Sequence, residues 1–190
     1  MTAASVAAVL TGDVIEVARA LLGMRVETNI GGTATSVVLT EVEAYAGDRD
    51  PASHAHRGET PRNASMFGPP GTLYVYRSYG IHWCANIVVG EPGVAHAVLL
   101  RGGAPSVGTQ TMAERRGRRD HLTDGPGKLC QALGIDGGHY GSSVFDGPVR
   151  LLVGALPAGA EVRTTPRIGI SKAVDLPWRF VVDLKGSPIS

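Results

Sequence analysis

Val37-Val38-Leu39-Thr40-Glu41-Val42-Glu43-Ala44-Tyr45 is the stretch on which the fold turns. Its β-branched and apolar residues favour a strand, and a strand sends alternate residues to one face. Glu43 and Tyr45 therefore point the same way, with Glu41 on that face too. A second run, from Leu73 to Asn86, carries Tyr74, Tyr76 and Tyr79 and breaks at Ser78-Tyr79-Gly80. It reads as two strands, 72–77 and 81–89, joined by a tight turn. A carboxylate thus has aromatic rings near it, and a hairpin tip carries a large exposed ring.

Outward from these runs, strands are expected at 24–30, 36–45, 94–100, 149–153 and 179–184. Asp13 reads as the cap of a helix whose apolar face is Val14, Val17, Ala18, Leu21 and Leu22, closed by Gly23. A helix is expected over 106–116. Another follows Gly125-Pro126-Gly127, over 128–133, and is closed by Gly134. Residues 46–71 read as a long polar loop with Asp48, Asp50, His54, His56, Arg57, Arg62 and Asn63, and long ordered loops are often functional. The expected class is α+β: a single domain with a curved, mainly antiparallel β-sheet, partly barrel-like, with surrounding helices and a protruding hairpin. Residues 1–12 are expected as a flexible lead-in and 13–190 as the domain.

Composition sets bounds on this reading. A chain of 190 residues suits one domain, and 43% hydrophobic with 18% charged residues allows a sizeable core. Gly and Pro, at 26 and 12, argue for many turns. A net charge of +1 neither demands nor excludes nucleic acid, so phosphate affinity would need a local basic patch. Cys84 and Cys130 read as reduced core residues. The Ala-rich start lacks the charged region of a secretory signal. With no apolar run long enough to span a bilayer, the cytoplasm is the expected compartment.

The chain resembles the alkyladenine (3-methyladenine) DNA glycosylases of the mammalian type. The resemblance rests on Glu41-Val42-Glu43-Ala44-Tyr45, His54, Thr60-Pro61-Arg62-Asn63 and Met66-Phe67. It continues through Pro70-Gly71-Thr72-Leu73-Tyr74-Val75-Tyr76, Tyr79-Gly80, His82-Trp83-Cys84, Asn86, Leu99-Leu100-Arg101 and residues 125–133. Many blocks in the right order are far more specific than one motif. The resemblance implies a base-excision repair enzyme that flips damaged purines, alkylated and also deaminated ones, out of duplex DNA and hydrolyses the N-glycosidic bond.

It implies Glu43 as the base that activates water, and Tyr45, His54 and Tyr76 as the residues that sandwich and contact the flipped base. Asn86 matches a residue that screens against the guanine amino group, Tyr79 the side chain inserted into the DNA stack, and Arg101 a residue near the sugar–phosphate. Arg62, Met66, Ile81 and Lys128 are carried over as DNA contacts. No metal and no cofactor are implied. The partner is double-stranded DNA, the enzyme acts as a monomer, and a bacterial chain would be nucleoid-associated. Ile81 stands where relatives often carry Met, Arg77 where an apolar residue is common, and Glu59 adds a negative charge beside Arg62.

Plainer readings stand beside these. Glu43 can be a buried ion-pair partner, and Glu41 can form an acid–base pair with it or lie too far along the strand. Tyr45 and Tyr76 can be ordinary packing, Tyr79 can tuck against its hairpin, and Met66 can join the core. Arg115, Arg116, Arg118 and Arg119 can meet phosphates or simply face solvent. Lys128, at a helix start, can hold a phosphate or be a solvated cap. An ordinary Glu pKa of about 4.3 already leaves Glu43 ionised at neutral pH. Lys128, Lys172 and Lys185 do not adjoin Glu43 in sequence, which disfavours a Schiff base. Two rivals remain: a metal hydrolase on Asp50, His54 and His56, and a non-catalytic module stacking single-stranded bases. A cysteine nucleophile is disfavoured by apolar surroundings.

Overall fold

The computed structural model describes residues 3–183. Eight strands form one sheet: β1 (Arg25–Ile30), β2 (Thr33–Ala46), β3 (Leu73–Ser78), β4 (His82–Val89), β5 (His96–Val107), β6 (Val149–Leu152), β7 (Glu161–Thr165) and β8 (Arg179–Asp183). The order is β3-β4-β5-β2-β1-β6, with β8 on β2 and β7 on β8. All of these pairings are antiparallel. The 14-residue β2 is the spine. It pairs with β5 along one edge, while the other edge divides between β1 and β8. Register shifts in β2–β5 bend the sheet, which curls into half a barrel.

The expected alternation along the strands holds. Leu73 and Val75 on β3, Ala85 and Ile87 on β4, Val98 and Leu100 on β5, and Val42 and Ala44 on β2 all face the main core. Residues between them turn to the opposite face, and there the site lies. Each fully buried Val or Leu contributes about 1.5–3 kcal/mol, so the apolar face fixes the register and the register aims the other face.

Helix α2 (Val14–Leu21) covers the core with Val14, Val17, Ala18 and Leu21, and Asp13 Oδ1 accepts the Ile15 amide at 2.9 Å. Helix α3 (Thr109–Arg116) buries Met112, and α4 (Pro126–Leu133) buries Leu129, Cys130, Ala132 and Leu133. Gly127 is needed for close approach: a Cβ there would lie 2.8 Å from His82 Cβ. It lets the start of α4 pack against the hairpin beside its tip, where His82 pairs with Ser78.

The structure departs from expectation at three places. The lead-in carries helix α1 (Ala3–Leu10), and Val6 and Leu10 are buried against the core. β5 runs on to Val107, so the helix expected from 106 starts at Thr109. Ser106 Oγ pairs with Ser36 Oγ at 2.9 Å there, which extends the ladder past Pro105. β7 had no counterpart in the sequence reading, because Glu161-Val162-Arg163-Thr164-Thr165 is a polar strand paired with β8 alone. Leu184, expected to end β8, lies outside the described residues. Among the described residues no helix is long and apolar enough to cross a membrane.

Candidate active site

Antiparallel register lines up the site. Tyr74 on β3 faces Asn86 on β4, Asn86 faces Leu99 on β5, and Leu99 faces Glu43 on β2. Residues directly opposite share a face, so these four form one row across the sheet. Tyr76 opposite Cys84 belongs to the next row. Glu41 pairs with Gly102 and Val42 with Leu100, so Arg101 is the extra residue of a bulge on β5. A bulge re-aims a side chain, and Arg101 is aimed between the two glutamates.

A cavity of about 650 Å³ opens over this face. Tyr45, His54, Met66, Tyr74, Tyr76, Cys84, Asn86, Leu99 and Arg101 line it, with Arg62, Arg77 and Tyr79 at the hairpin side. The segment 168–172 forms the opposing wall. Glu43 is 0% exposed and lies behind Tyr45, Ile168 and Arg101. The sequence reading pointed Glu43 and Tyr45 the same way. They do share a face, but the loop after β7 crosses over it.

Three groups hold the Glu43 carboxylate. Tyr45 Oη donates to Oε2 at 2.8 Å and the Ile168 amide donates to Oε1 at 2.8 Å. Arg101 Nη1 stands 3.4 Å from Oε1. Burial pushes the Glu43 pKa above the ordinary carboxylate range, and the Arg101 charge, the Ile168 amide and the Tyr45 hydroxyl offset only part of that. The expectation of an ordinary Glu is thus modified: this carboxylate is a stronger base than a free one. Burial, and then the Glu43 charge, also raise the Tyr45 hydroxyl, which stays protonated as a donor.

The aromatic residues form a connected group. Tyr74 and Tyr76 stack with centroids 5.5 Å apart, and His54 meets Tyr76 edge-on at 4.5 Å. His54 Nδ1 and Tyr74 Oη are 2.8 Å apart. The ring is solvent-accessible, yet its partial burial and the Arg62 cation hold the His54 pKa below the ordinary range. Either atom can be the donor in that contact, depending on the tautomer; in the tautomer that accepts from the Tyr74 hydroxyl at Nδ1, the imidazole carries its proton on Nε2. Asn86 Nδ2 donates to the Tyr74 carbonyl at 3.1 Å, which fixes its amide at the wall.

Tyr79 and Ile81 project from the hairpin tip, 86% and 66% exposed. Tyr79 has φ +49°, a left-handed conformation that a bulky side chain rarely adopts. Such strain costs about 1–3 kcal/mol and gathers at functional sites. Tyr79 does not tuck against its hairpin.

Other candidates are placed differently. Met66 is 2% exposed and packs with Tyr74, Val88, Ala95 and Ala97 at the floor of the cavity, which agrees with the core reading. Lys128 Nζ binds Asp124 Oδ1 at 3.1 Å beside the start of α4. The basic run divides. Arg115 donates to Ile30 O, Ala132 O and Thr35 Oγ1, Arg116 to Gln131, and Arg118 to Asp120, while Arg119 is exposed. Arg115 and Arg116 thus tie parts of the fold together, and Arg118 and Arg119 are at the surface.

The metal-ligand alternative loses its residues to other partners. Asp50 is buried in a bidentate pair with Arg167, His54 is tied to Tyr74, and His56 Nδ1 contacts Asp48 O at 2.7 Å. Among the described residues no three His, Cys, Asp or Glu side chains come together as a ligand set. Burial raises the thiol pKa of both Cys84 and Cys130, so neither is a ready nucleophile.

Sequence reasoning missed the segment after β7. Arg167 is 5% exposed, spans Asp50 and the Ala44 carbonyl, and lies between the Tyr45 and Trp178 rings at 4.7 and 5.1 Å. It sets Ile168 on Glu43. Lys172 lines the cavity, although in sequence it is remote from Glu43. Pro166-Arg167-Ile168-Gly169 has no periodicity to mark it, and with Lys172 and Asp175 in the same loop the charge of Arg167 does not single it out.

Comparison with known proteins agrees with this geometry. The family model for methylpurine-DNA glycosylase matches residues 8–186. A protein of Rhodopseudomonas palustris (strain BisB18) is 55% identical over 152 residues, covering 79% of this chain and 74% of the relative. One of Agrobacterium fabrum is 51% identical over 178 residues, covering 92% and 86%. One of Frankia casuarinae is 47% identical over 180 residues, covering 88% and 83%. Each is provisionally named a 3-methyladenine DNA glycosylase. The likeness takes in both walls of the cavity and the strand that carries Glu43, and the chain belongs to the methylpurine-DNA glycosylase family, monofunctional hydrolases of N-glycosyl bonds in DNA.

Proposed function

We propose that this chain excises alkylated purines, 3-methyladenine first among them, from duplex DNA. Tyr79 enters the stack and fills the gap left by the extruded nucleotide, offsetting part of an unstacking cost of a few kcal/mol. The base enters the cavity between Tyr45 on one side and His54 and Tyr76 on the other. Water reaches Glu43 where Tyr45, Ile168 and Arg101 meet. Glu43 takes its proton, the oxygen bonds to C1′, and the C1′–N bond breaks with its electrons leaving on the purine. The carboxylate also steadies the positive charge that grows on the sugar. An abasic site remains.

The observation that carries this reading is the Glu43 carboxylate, raised in pKa and one side chain behind a tyrosine-lined cavity. An alkylated purine is cationic, and each ring face it meets favours it by about 0.5–2 kcal/mol. A neutral deaminated purine lacks that gain and leaves less readily. For it, the His54 Nε2 proton supplies a hydrogen bond. Asn86 screens against the guanine amino group. Arg62, Ile81 and Lys128 contact DNA around the cavity, with Arg101 beside the sugar–phosphate. The scheme needs one copy of the chain, side chains and water.

The test is release of free base from duplexes that each carry a single 3-methyladenine, 7-methylguanine or hypoxanthine. Release with an alkali-labile, unbroken strand is expected. Tight binding without release would leave only a binding module, and scission by the pure protein at neutral pH would point to an amine mechanism through Lys172. The rate on the acid side should fall at a pH above the ordinary Glu value of about 4.3, because a raised pKa means Glu43 takes up its proton earlier as pH drops. A pH profile of single-turnover rates measures this.

A further inference from the structure

Glu41 is not on the cavity wall, yet its Oε1 accepts from Arg101 Nε at 2.7 Å and from Arg179 Nε at 2.6 Å. Arg101 is thereby anchored on its far side. Its Nη1 stops 3.4 Å from Glu43 Oε1, longer than a strong charge-assisted bond of about 2.7–2.9 Å. We propose that Glu41 is a positioning residue that holds Arg101 away from a tight pair with Glu43, so that the Glu43 carboxylate stays free to act as the base. This rests on the reading of Glu43 given above.

The two glutamates compete for one guanidinium. Arg101 has two carboxylates within reach and Glu43 is the more buried, 0% against 17% side-chain exposure for Glu41. Without Glu41, the guanidinium would turn its fork to Glu43, the geometry that Arg and carboxylate prefer. Glu43 would then be neutralised and less basic. Burial pushes Glu41 upward, but the bonds from Arg101 and Arg179 together hold it below the usual range, so it stays charged where the enzyme works. Arg179 is fixed in turn by donating to Thr165 Oγ1 at 2.9 Å.

The groups facing Glu43 come from every neighbouring element. They are Tyr45 and Glu41 on β2, Arg101 on β5, Tyr76 on β3, Cys84 on β4, Arg179 on β8, and Arg167 with the Ile168 amide after β7. Of these, Arg101 is bound by a carboxylate that competes directly with Glu43.

The experiment compares acid limbs of single-turnover base release in wild type, Glu41→Gln and Arg179→Gln, with Glu43→Gln as control and thermal melts of each. In Glu41→Gln, an Arg cation closing on Glu43 should lower the acid limb by about one pH unit or more. The rate at neutral pH should fall about tenfold or more, with a KM near wild type, as weaker base catalysis requires. In Arg179→Gln the limb should move up, since a cation is lost and Glu41 holds Arg101 alone. A purely structural Glu41 would lower the melting temperature and leave the limb in place, which would overturn the inference. If Glu41→Gln does not fold, an unmoved or lowered limb in Arg179→Gln overturns it equally. If Glu43→Gln still releases base, the reading of Glu43 itself fails, a result distinct from an unmoved limb.

Discussion

One wall of the cavity is sheet and the other is loop, and different forces hold them. Tyr74, Tyr76, Asn86 and Leu99 stand on β3, β4 and β5, with the main core on the reverse of the same strands. The loop wall, residues 51–54 with Arg62 and 168–172, is backed only in its first half, by a smaller apolar cluster of Ala55 and Met66 against Tyr74, Val88, Ala95 and Ala97. Its two halves meet at the buried Arg167–Asp50 pair. The first half is further tied by Asn63, whose Oδ1 accepts from the Thr60 amide at 2.6 Å and whose Nδ2 donates to His54 O and Gly58 O. The sheet wall rests on many small apolar terms. The loop wall rests on a few polar residues, and losing one leaves a buried charge or carbonyl unmatched.

That contrast orders the expected effects of mutation. Asp50→Ala leaves the Arg167 cation buried without its partner and should cost about 3–5 kcal/mol, read from urea unfolding. Base release should fall with it, because Ile168 then loses its place on Glu43. A loss under about 1 kcal/mol, the range of exposed pairs, would show that the loop wall is held elsewhere. Asn63→Ala is smaller, about 1–3 kcal/mol, through unsatisfied backbone groups. In the sheet, Ile87→Val removes one methylene and should cost about 0.5–1.5 kcal/mol with excision intact. If Ile87→Val were worse than Asn63→Ala, the division of labour would be reversed. Smallest is Arg119→Ala, within about 0.5 kcal/mol in stability.

The two walls also differ in how far the sequence exposes them. Period-two alternation in 37–45 places Glu43 and Tyr45 on one face, since a strand has no other way to bury its valines, whereas Tyr76 and Asn86 enter through the resemblance. Tyr79 is legible for a similar reason: a ring in a tight turn has no core to join. The bulge that re-aims Arg101 is not legible, because it depends on a register shift between two strands 60 residues apart in the chain. Arg167 lies 117 residues from Asp50, and nothing local ties them. Met66, for which the sequence left a groove contact and a place in the core both open, is folded inward by the 3₁₀ turn over Ala64–Phe67.

The most direct measurement is the single-turnover rate of Glu43→Gln on a duplex holding one 3-methyladenine, with affinity for an abasic-site duplex measured in parallel. The substitution keeps the shape and the acceptor oxygen and removes the base. Excision should drop by about 10²–10⁴-fold while DNA binding persists. A variant that released the base at close to the wild-type rate would mean that the carboxylate behind Tyr45 serves only to hold the wall together.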